Sequence, residues 1–236
     1  MKQTIALDIE TIPNTSAIPL LPEPEVTDSR RKDPDKIAAH LDAKRAKQRA
    51  DMALDPTTGR ICSFAITEIS GNEQEFYRVI PAAIISSCVC IDAESDGAEA
   101  EIVAELLGIL ALPELRIVTW DGMRFDLPYI YKRAMLLSFF GSVPAGVPPL
   151  TYWTKRYSTT PHCDLAKVWT DGAGFIKLDT VARLMFGGEG KIEIDFTDFP
   201  ELIKTEEGRQ RLGAYNLQDT RLTARIFERA SGCLFA

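Results

Sequence analysis

Gln3-Thr4-Ile5-Ala6-Leu7-Asp8-Ile9-Glu10-Thr11 is the stretch on which the reading of this chain turns. Residues 3–9 alternate like a half-buried strand. Asp8 and Glu10 are two apart, and the strand period of two puts both carboxylates on one face. Neighbouring acids repel unless something cationic sits between them. A hard divalent ion such as Mg²⁺ or Mn²⁺, which takes oxygen ligands, suits such a pair. The plain alternative is a polar strand end facing solvent.

Working outward, residues 13–34 are proline-rich and non-periodic, and 35–52 form a charged segment that reads as one mostly solvated helix. Leu54-Asp55-Pro56-Thr57-Thr58-Gly59 breaks it with turn chemistry. Residues 13–57 thus read as an insertion after the first strand, within a single domain spanning 1–236. Strands are expected at 60–69 and 73–80, joined by a Ser70-Gly71-Asn72 turn. Apolar positions 102, 103, 106, 107 and 110 predict an amphipathic helix over 99–112. A short strand at 116–120 leads through loop 121–125 to a helix over about 126–140, with Pro128 in its first turn. Residues 141–161 read as loop. Helices follow near 164–169 and 178–186, then a Gly187-Gly188-Glu189-Gly190 turn and a last helix over 206–230. This order predicts an α/β fold, a mixed sheet flanked by helices.

The chain carries 27 basic and 34 acidic residues, a net charge of −7. That argues against coating long nucleic acid through phosphate contacts, but not against gripping a few nucleotides around bound cations. No stretch approaches a membrane helix. The N-terminus meets an acid too early for a signal peptide, so a cytoplasmic location is expected. Five cysteines form no CxxC pair, and Cys88-Val89-Cys90 reads as apolar filler.

Two more acids stand out. Asp126 opens a helix directly after a strand and a glycine-containing loop. It is either a first-turn acid favoured by the helix dipole or a carboxylate at the mouth of the sheet beside the first strand. Tyr215 and Asp219, four apart, share a face of the last helix that Leu222 and Ile226 continue. A carboxylate on an inward face needs a metal or a basic partner. Arg221, Arg225 and Arg229 lie on roughly the opposite face and read as a solvated stripe.

Together, Leu7-Asp8-Ile9-Glu10-Thr11, Thr119-Trp120-Asp121-Gly122-Met123-Arg124-Phe125-Asp126-Leu127-Pro128 and Tyr215-Asn216-Leu217-Gln218-Asp219 resemble the motifs of the DEDD 3′→5′ exonucleases, Tyr-containing branch. The second motif and Leu54-Asp55-Pro56…Gly59-Arg60-Ile61 look most like predicted exonucleases related to the proofreading domain of family B DNA polymerases. The resemblance covers most of the chain.

It implies a ribonuclease-H-like fold, with the first three strands antiparallel and the later ones parallel. It implies Asp8, Glu10 and Asp219 as metal ligands, with Asp126 as the carboxylate of the second metal. Tyr215 would orient the attacking water. Two Mg²⁺ or Mn²⁺ ions about 4 Å apart would clamp the phosphate of a single-stranded 3′ end, DNA favoured. The backbone near Glu10 and Thr11 would meet the 3′-hydroxyl. Phe125 reads either as a base-stacking residue or as core. Asp121 is a candidate substrate contact where such proteins commonly carry Asn. The His-containing branch is disfavoured, because its histidine position is Ala214.

Other features read plainly. Lys191 reads as a solvated turn lysine, with a phosphate contact as the alternative, and His162-Cys163-Asp164 as a strand end or helix N-cap, with Asp164 capping, rather than a further metal site. Tyr152, Trp153 and Tyr157 either line a groove or pack. The basic helix at 36–49 is diluted by Asp35, Asp42 and Asp51. Two rivals remain: a non-catalytic nucleic-acid-binding or polymerase-accessory module, and an Asp-x-Asp phosphatase, whose second Asp is replaced here by Glu10.

Overall fold

The computed structural model describes residues 3–26, 33–69, 88–90, 96–137, 146–188 and 190–235. Strand β1 (Thr4–Pro13) is longer than the alternating stretch at 3–9 and lies in the middle of a five-stranded sheet. On one side it pairs antiparallel with β2 (Gly59–Glu68), which pairs antiparallel with β3 (Cys88–Cys90). On the other side it pairs parallel with β4 (Arg116–Thr119), which pairs parallel with β5 (His162–Asp164). The mixed sheet is therefore the one expected, antiparallel through its first three strands and parallel thereafter. The expected hairpin turn at 70–72 and strand at 73–80 lie outside the described residues. The CxC segment, read as filler, supplies the edge strand β3.

Both faces of β1 are covered, which is why its side chains do not alternate cleanly between core and water. Ile5, Leu7 and Ile9 pack against α2 (Asp96–Leu110) and α3 (Asp126–Leu136), meeting Ile102, Leu106 and Leu127. Ala6 faces the other way. There it meets α6 (Leu178–Met185) and α8 (Glu206–Ala230) through Val181, Leu222 and Ile226. Each fully buried Leu or Ile contributes about 1.5–3 kcal/mol. Asp8 and Glu10 share the face of Ala6, beneath α8.

Pro13 stands opposite Gly59 in the register, so residues 14–58 leave and rejoin the hairpin at one point. That excursion holds a 3-10 turn at Thr15–Leu20, α1 (Pro34–Asp51) and a second 3-10 turn at Met52–Leu54. Asp33 caps α1 by accepting from the amides of Asp35 and Lys36. No side chain of α1 is buried, in keeping with its charged, non-amphipathic sequence.

After α3 the expected loop contains one turn of helix, α4 (Leu150–Trp153). Asp164 ends β5 and caps α5 (Leu165–Trp169) through the amide of Lys167. A single turn, α7 (Phe199–Leu202), precedes α8, whose N-cap is Thr205. Among the described residues, no helix is long and apolar enough to cross a membrane.

Candidate active site

β4 stays in register with β1 only from Thr4 to Ala6. Beyond that, β1 presents unpaired backbone groups on its β4 side, and a buried amide there needs a partner. Asp126, the first residue of α3, supplies it: its Oδ1 accepts from the amide of Ile9 at 3.1 Å. The first-turn acid therefore stands beside the first strand, between the positions of Asp8 and Glu10. A break in register between Glu10 and Thr11 then redirects the strand.

α8 crosses the same face and lowers Asp219 toward β1. One oxygen from each of Asp8, Glu10 and Asp219 lies within 4.8 Å of the others. Asp126 adjoins this group without being one of its three members. All four acids line a cavity of ≈ 480 Å³ that also takes in Thr11, Trp120, Asp121, Phe125, Lys191 and Tyr215.

The electrostatics of the group are unfavourable as it stands. Burial, followed by repulsion from Asp126, Glu10 and Asp219, pushes the Asp8 carboxyl well above the usual carboxylate range. Burial and then Asp219 raise Glu10 to about 8. Burial raises Asp126 to about 7 against the lowering effect of the Ile9 amide. Asp219 rises to about 6 by burial, held back by Lys191. Oδ1 of Asp219 is buried with no hydrogen-bond partner. Oxygen donors that resist ionisation when left alone, with one lone pair set unclaimed, fit a hard divalent cation.

Three further side chains organise the group; the sequence reading favoured solvent for Lys191 and a helix cap for Asp164, and gave Asn216 no role. The expectation that Lys191 is solvated is overturned: its side chain is about three-quarters buried and its ammonium bonds Oδ2 of Asp219, 4.8 Å from the centroid of the Tyr215 ring. Burial opposes its charge, but Asp219, Tyr215 and Asp8 outweigh that and raise its pKa. The lysine is brought there by its own backbone. Its amide donates to Asp179 Oδ1 at 2.9 Å, and Gln218 Nε2 donates to the Gly190 carbonyl at 2.7 Å. A Cβ on residue 190 would meet the ends of the Asp179 and Arg183 side chains, which would have to shift to admit it.

Asn216 is fully buried; its Nδ2 donates to Asp8 Oδ2 at 2.6 Å and its Oδ1 accepts from Ser63 Oγ at 3.2 Å. It thereby fixes the orientation of Asp8. The signal was present: Asn216 lies three residues before Asp219, on the same helix face.

Asp164 is the third. Besides capping α5, it accepts from the amides of Asp121 and Met123 at 3.1 and 3.0 Å. It shapes the loop that delivers Phe125 and Asp126.

Phe125 lines the cavity with one side and packs against Tyr129 with the other, 5.3 Å between centroids. Thr11, on the cavity wall, spends its hydroxyl on the Ala53 carbonyl at 2.7 Å. Asp121 has a left-handed backbone, φ 67°, a conformation that Asp and Asn tolerate best among residues with a side chain. Arg124 holds Oδ2 of Asp121, while Oδ1, buried without a hydrogen bond, has the Lys167 ammonium 3.5 Å away. His162 is buried between Thr119 and the Trp153 carbonyl, and burial lowers its pKa to about 4, so it is a neutral strut. The aromatic trio separates: Trp153 is core, whereas Tyr157 is 87% exposed.

The chain belongs to the family described as predicted 3′-5′ exonucleases related to the exonuclease domain of PolB, whose model matches residues 56–231. It is 29% identical over 158 residues to DNA polymerase 1 of Aeropyrum pernix and 28% identical over 151 residues to DNA polymerase 1 of Saccharolobus solfataricus. These alignments span 61% and 58% of this chain but only 15% and 16% of those polymerases. The fold is similar to that of the family B DNA polymerase from Pyrobaculum calidifontis, with TM-score 0.57 and 17% identity, covering 98% of this chain and 24% of that one.

Proposed function

We propose that this chain is a metal-dependent 3′→5′ exonuclease that hydrolyses phosphodiester bonds from the 3′ end of a single strand, DNA favoured, and releases nucleoside 5′-monophosphates. The observation that carries the reading is the convergence of Asp8, Glu10 and Asp219 on one point, with a buried oxygen of Asp219 lacking a partner. Asp8, Glu10 and Asp219 would hold two Mg²⁺ or Mn²⁺ ions together with Asp126. When bound, such ions supply an activated water and stabilise charge on the phosphate oxygens.

The remaining work falls to the chain's own residues. Burial, and next the Glu10 charge, push the Tyr215 phenol above its ordinary range, so it keeps its proton and orients a water through its hydroxyl rather than acting as a base. Lys191, anchored by its backbone, offers a fixed positive charge beside Asp219 for a phosphate oxygen. Asn216 locks the Asp8 rotamer. The backbone at Glu10 and Thr11 receives the terminal 3′-hydroxyl, and Phe125 stacks on the terminal base.

A 5′-labelled single-stranded oligonucleotide tests this. A ladder of shortened products with nucleoside monophosphate, dependent on Mg²⁺ or Mn²⁺ and blocked by a 3′-phosphate, is expected. No metal-dependent shortening of DNA or RNA would leave a binding module instead, attack on circular strands would mean an endonuclease, and release of free phosphate a phosphatase.

A further inference from the structure

Asp121 presents a puzzle: an acid is added to a cavity already lined by Asp8, Glu10, Asp126, Asp179 and Asp219. Its contacts supply the answer. Arg124 donates to Asp121 Oδ2 through Nε at 2.8 Å, and its Nη2 lies 2.5 Å from the same oxygen. The Lys167 ammonium is 3.5 Å from Oδ1. The carboxylate is 9% exposed while the arginine side chain is 66% exposed. The anchor is therefore buried and its cation is not. That cation sits 5.4 Å from the centroid of the Phe175 ring, and Phe175 is 60% exposed on the wall of the catalytic cavity.

We infer that Arg124 and Phe175 form a second nucleotide subsite, which takes the nucleotide next to the terminal one in a single strand, and that Asp121 is its positioning residue. This rests on the exonuclease reading of the same cavity. An apolar ring left in water at the rim of an acidic cleft offers a stacking face to any base, and a base is available to it only in unpaired nucleic acid. Arg124 strengthens the stack through its cation. Its bonds to Asp121 use the Nε–Nη2 edge, so Nη1 is left for a phosphate oxygen.

Exposure orders the two aromatics. Phe125, partly buried and next to Asp126, is the inner one. Phe175 is the outer one, a step farther from the acids. The charges decide why an acid is tolerated at 121. Asp121 offsets one of the two cations it holds, and Asp164 stands behind the same loop as a second carboxylate, so what the corner offers a phosphate is a fixed guanidinium rather than surplus charge. Asn at 121 would remove one negative charge but release the guanidinium, losing that pre-set geometry. An ordinary surface pair three residues apart would contribute little; this one is distinguished by its buried anchor and its aromatic neighbour.

The test compares two substrates with the full chain: a short single-stranded oligodeoxynucleotide, and the p-nitrophenyl ester of thymidine 5′-monophosphate, which reaches only the terminal site. Phe175→Ala and Arg124→Gln should raise KM for the oligonucleotide roughly ten- to a hundred-fold. Its kcat, and ester hydrolysis, should stay as in the parent. Arg124→Gln should also lower the salt slope of binding by about one. Asp121→Asn should raise KM as Arg124→Gln does, and the double variant should be no worse than Arg124→Gln alone. An unchanged oligonucleotide KM in Phe175→Ala and Arg124→Gln would overturn the subsite, as would equal losses on both substrates. A parent protein inert toward both substrates would overturn the exonuclease reading, and the subsite with it.

Discussion

Two sets of buried charge lie on opposite faces of the sheet, and they are built in opposite ways. On the α2–α3 side, Glu99 is fully buried and every direction around it is answered. Arg133 Nε donates to its Oε1 at 2.7 Å, Nη2 to Oε2 at 2.6 Å, and the Ile61 amide to Oε1 at 3.0 Å. Arg133 also donates to the Pro56 carbonyl at 2.9 Å. The pair ties α2, α3 and the start of β2 together. Under α8, by contrast, four carboxylates share one lysine, one asparagine and one amide. The first set is neutral and complete; the second carries an excess of negative charge and a partnerless oxygen. Completed charge serves the fold, whereas uncompensated charge is kept where a cation can bind.

Substitutions probe that contrast from both ends. The largest effect is expected on turnover: Asp8→Ala or Asp219→Ala should lower kcat more than about a hundred-fold, because the ion cage loses a ligand. A near-parental rate in either variant would remove the acids from the chemistry. Stability should respond in the other cluster. Glu99→Ala leaves Arg133 charged and buried, which costs about 3–5 kcal/mol. Calorimetry should show a Tm lower by on the order of 10 °C. A drop as large in Glu10→Gln would break the comparison, since that change relieves repulsion.

The pH dependence has a definite sign. Glu10, Asp126 and Asp219 bind protons more tightly when folded than at the ordinary carboxylate value of ~4. Across that window the folded state holds the extra protons, so stability falls as pH rises from ~4 toward about 8. Metal-free protein should therefore melt at a lower temperature near pH 8 than near pH 5. Mg²⁺ or Mn²⁺ should recover more of that loss at the higher pH, because binding displaces the protons. A Tm that is flat with pH in the metal-free protein would mean the acids are relaxed. The smallest expected effect is Tyr215→Phe, a roughly 10- to 100-fold loss in kcat with Mn²⁺ affinity retained. Loss of Mn²⁺ binding would instead assign Tyr215 a structural role.

Much of the candidate site was legible because its acids sit on regular elements, and the family resemblance joined the three stretches into one set. A period of two joined Asp8 to Glu10, a period near four joined Tyr215 to Asp219, and a strand-loop-helix junction marked Asp126. The partners were not legible. Lys191 lies in a glycine-flanked turn with no periodicity, and only the bonds from Asp179 and Gln218 turn it inward. The Arg221–Arg225–Arg229 stripe is exposed as expected, yet Arg225 also stacks on Phe186 at 4.1 Å, which a helical wheel cannot foretell.

The sequence by itself determined the local geometry: which residues share a strand face, which share a helix face, and where turns break them, because backbone periods act over a few residues. Tertiary structure alone decided that β1 is central, that α8 crosses it above Asp8, and that Lys167 reaches Asp121. Those outcomes depend on distances between elements far apart in the chain, set by packing of the two cores on either side of the sheet.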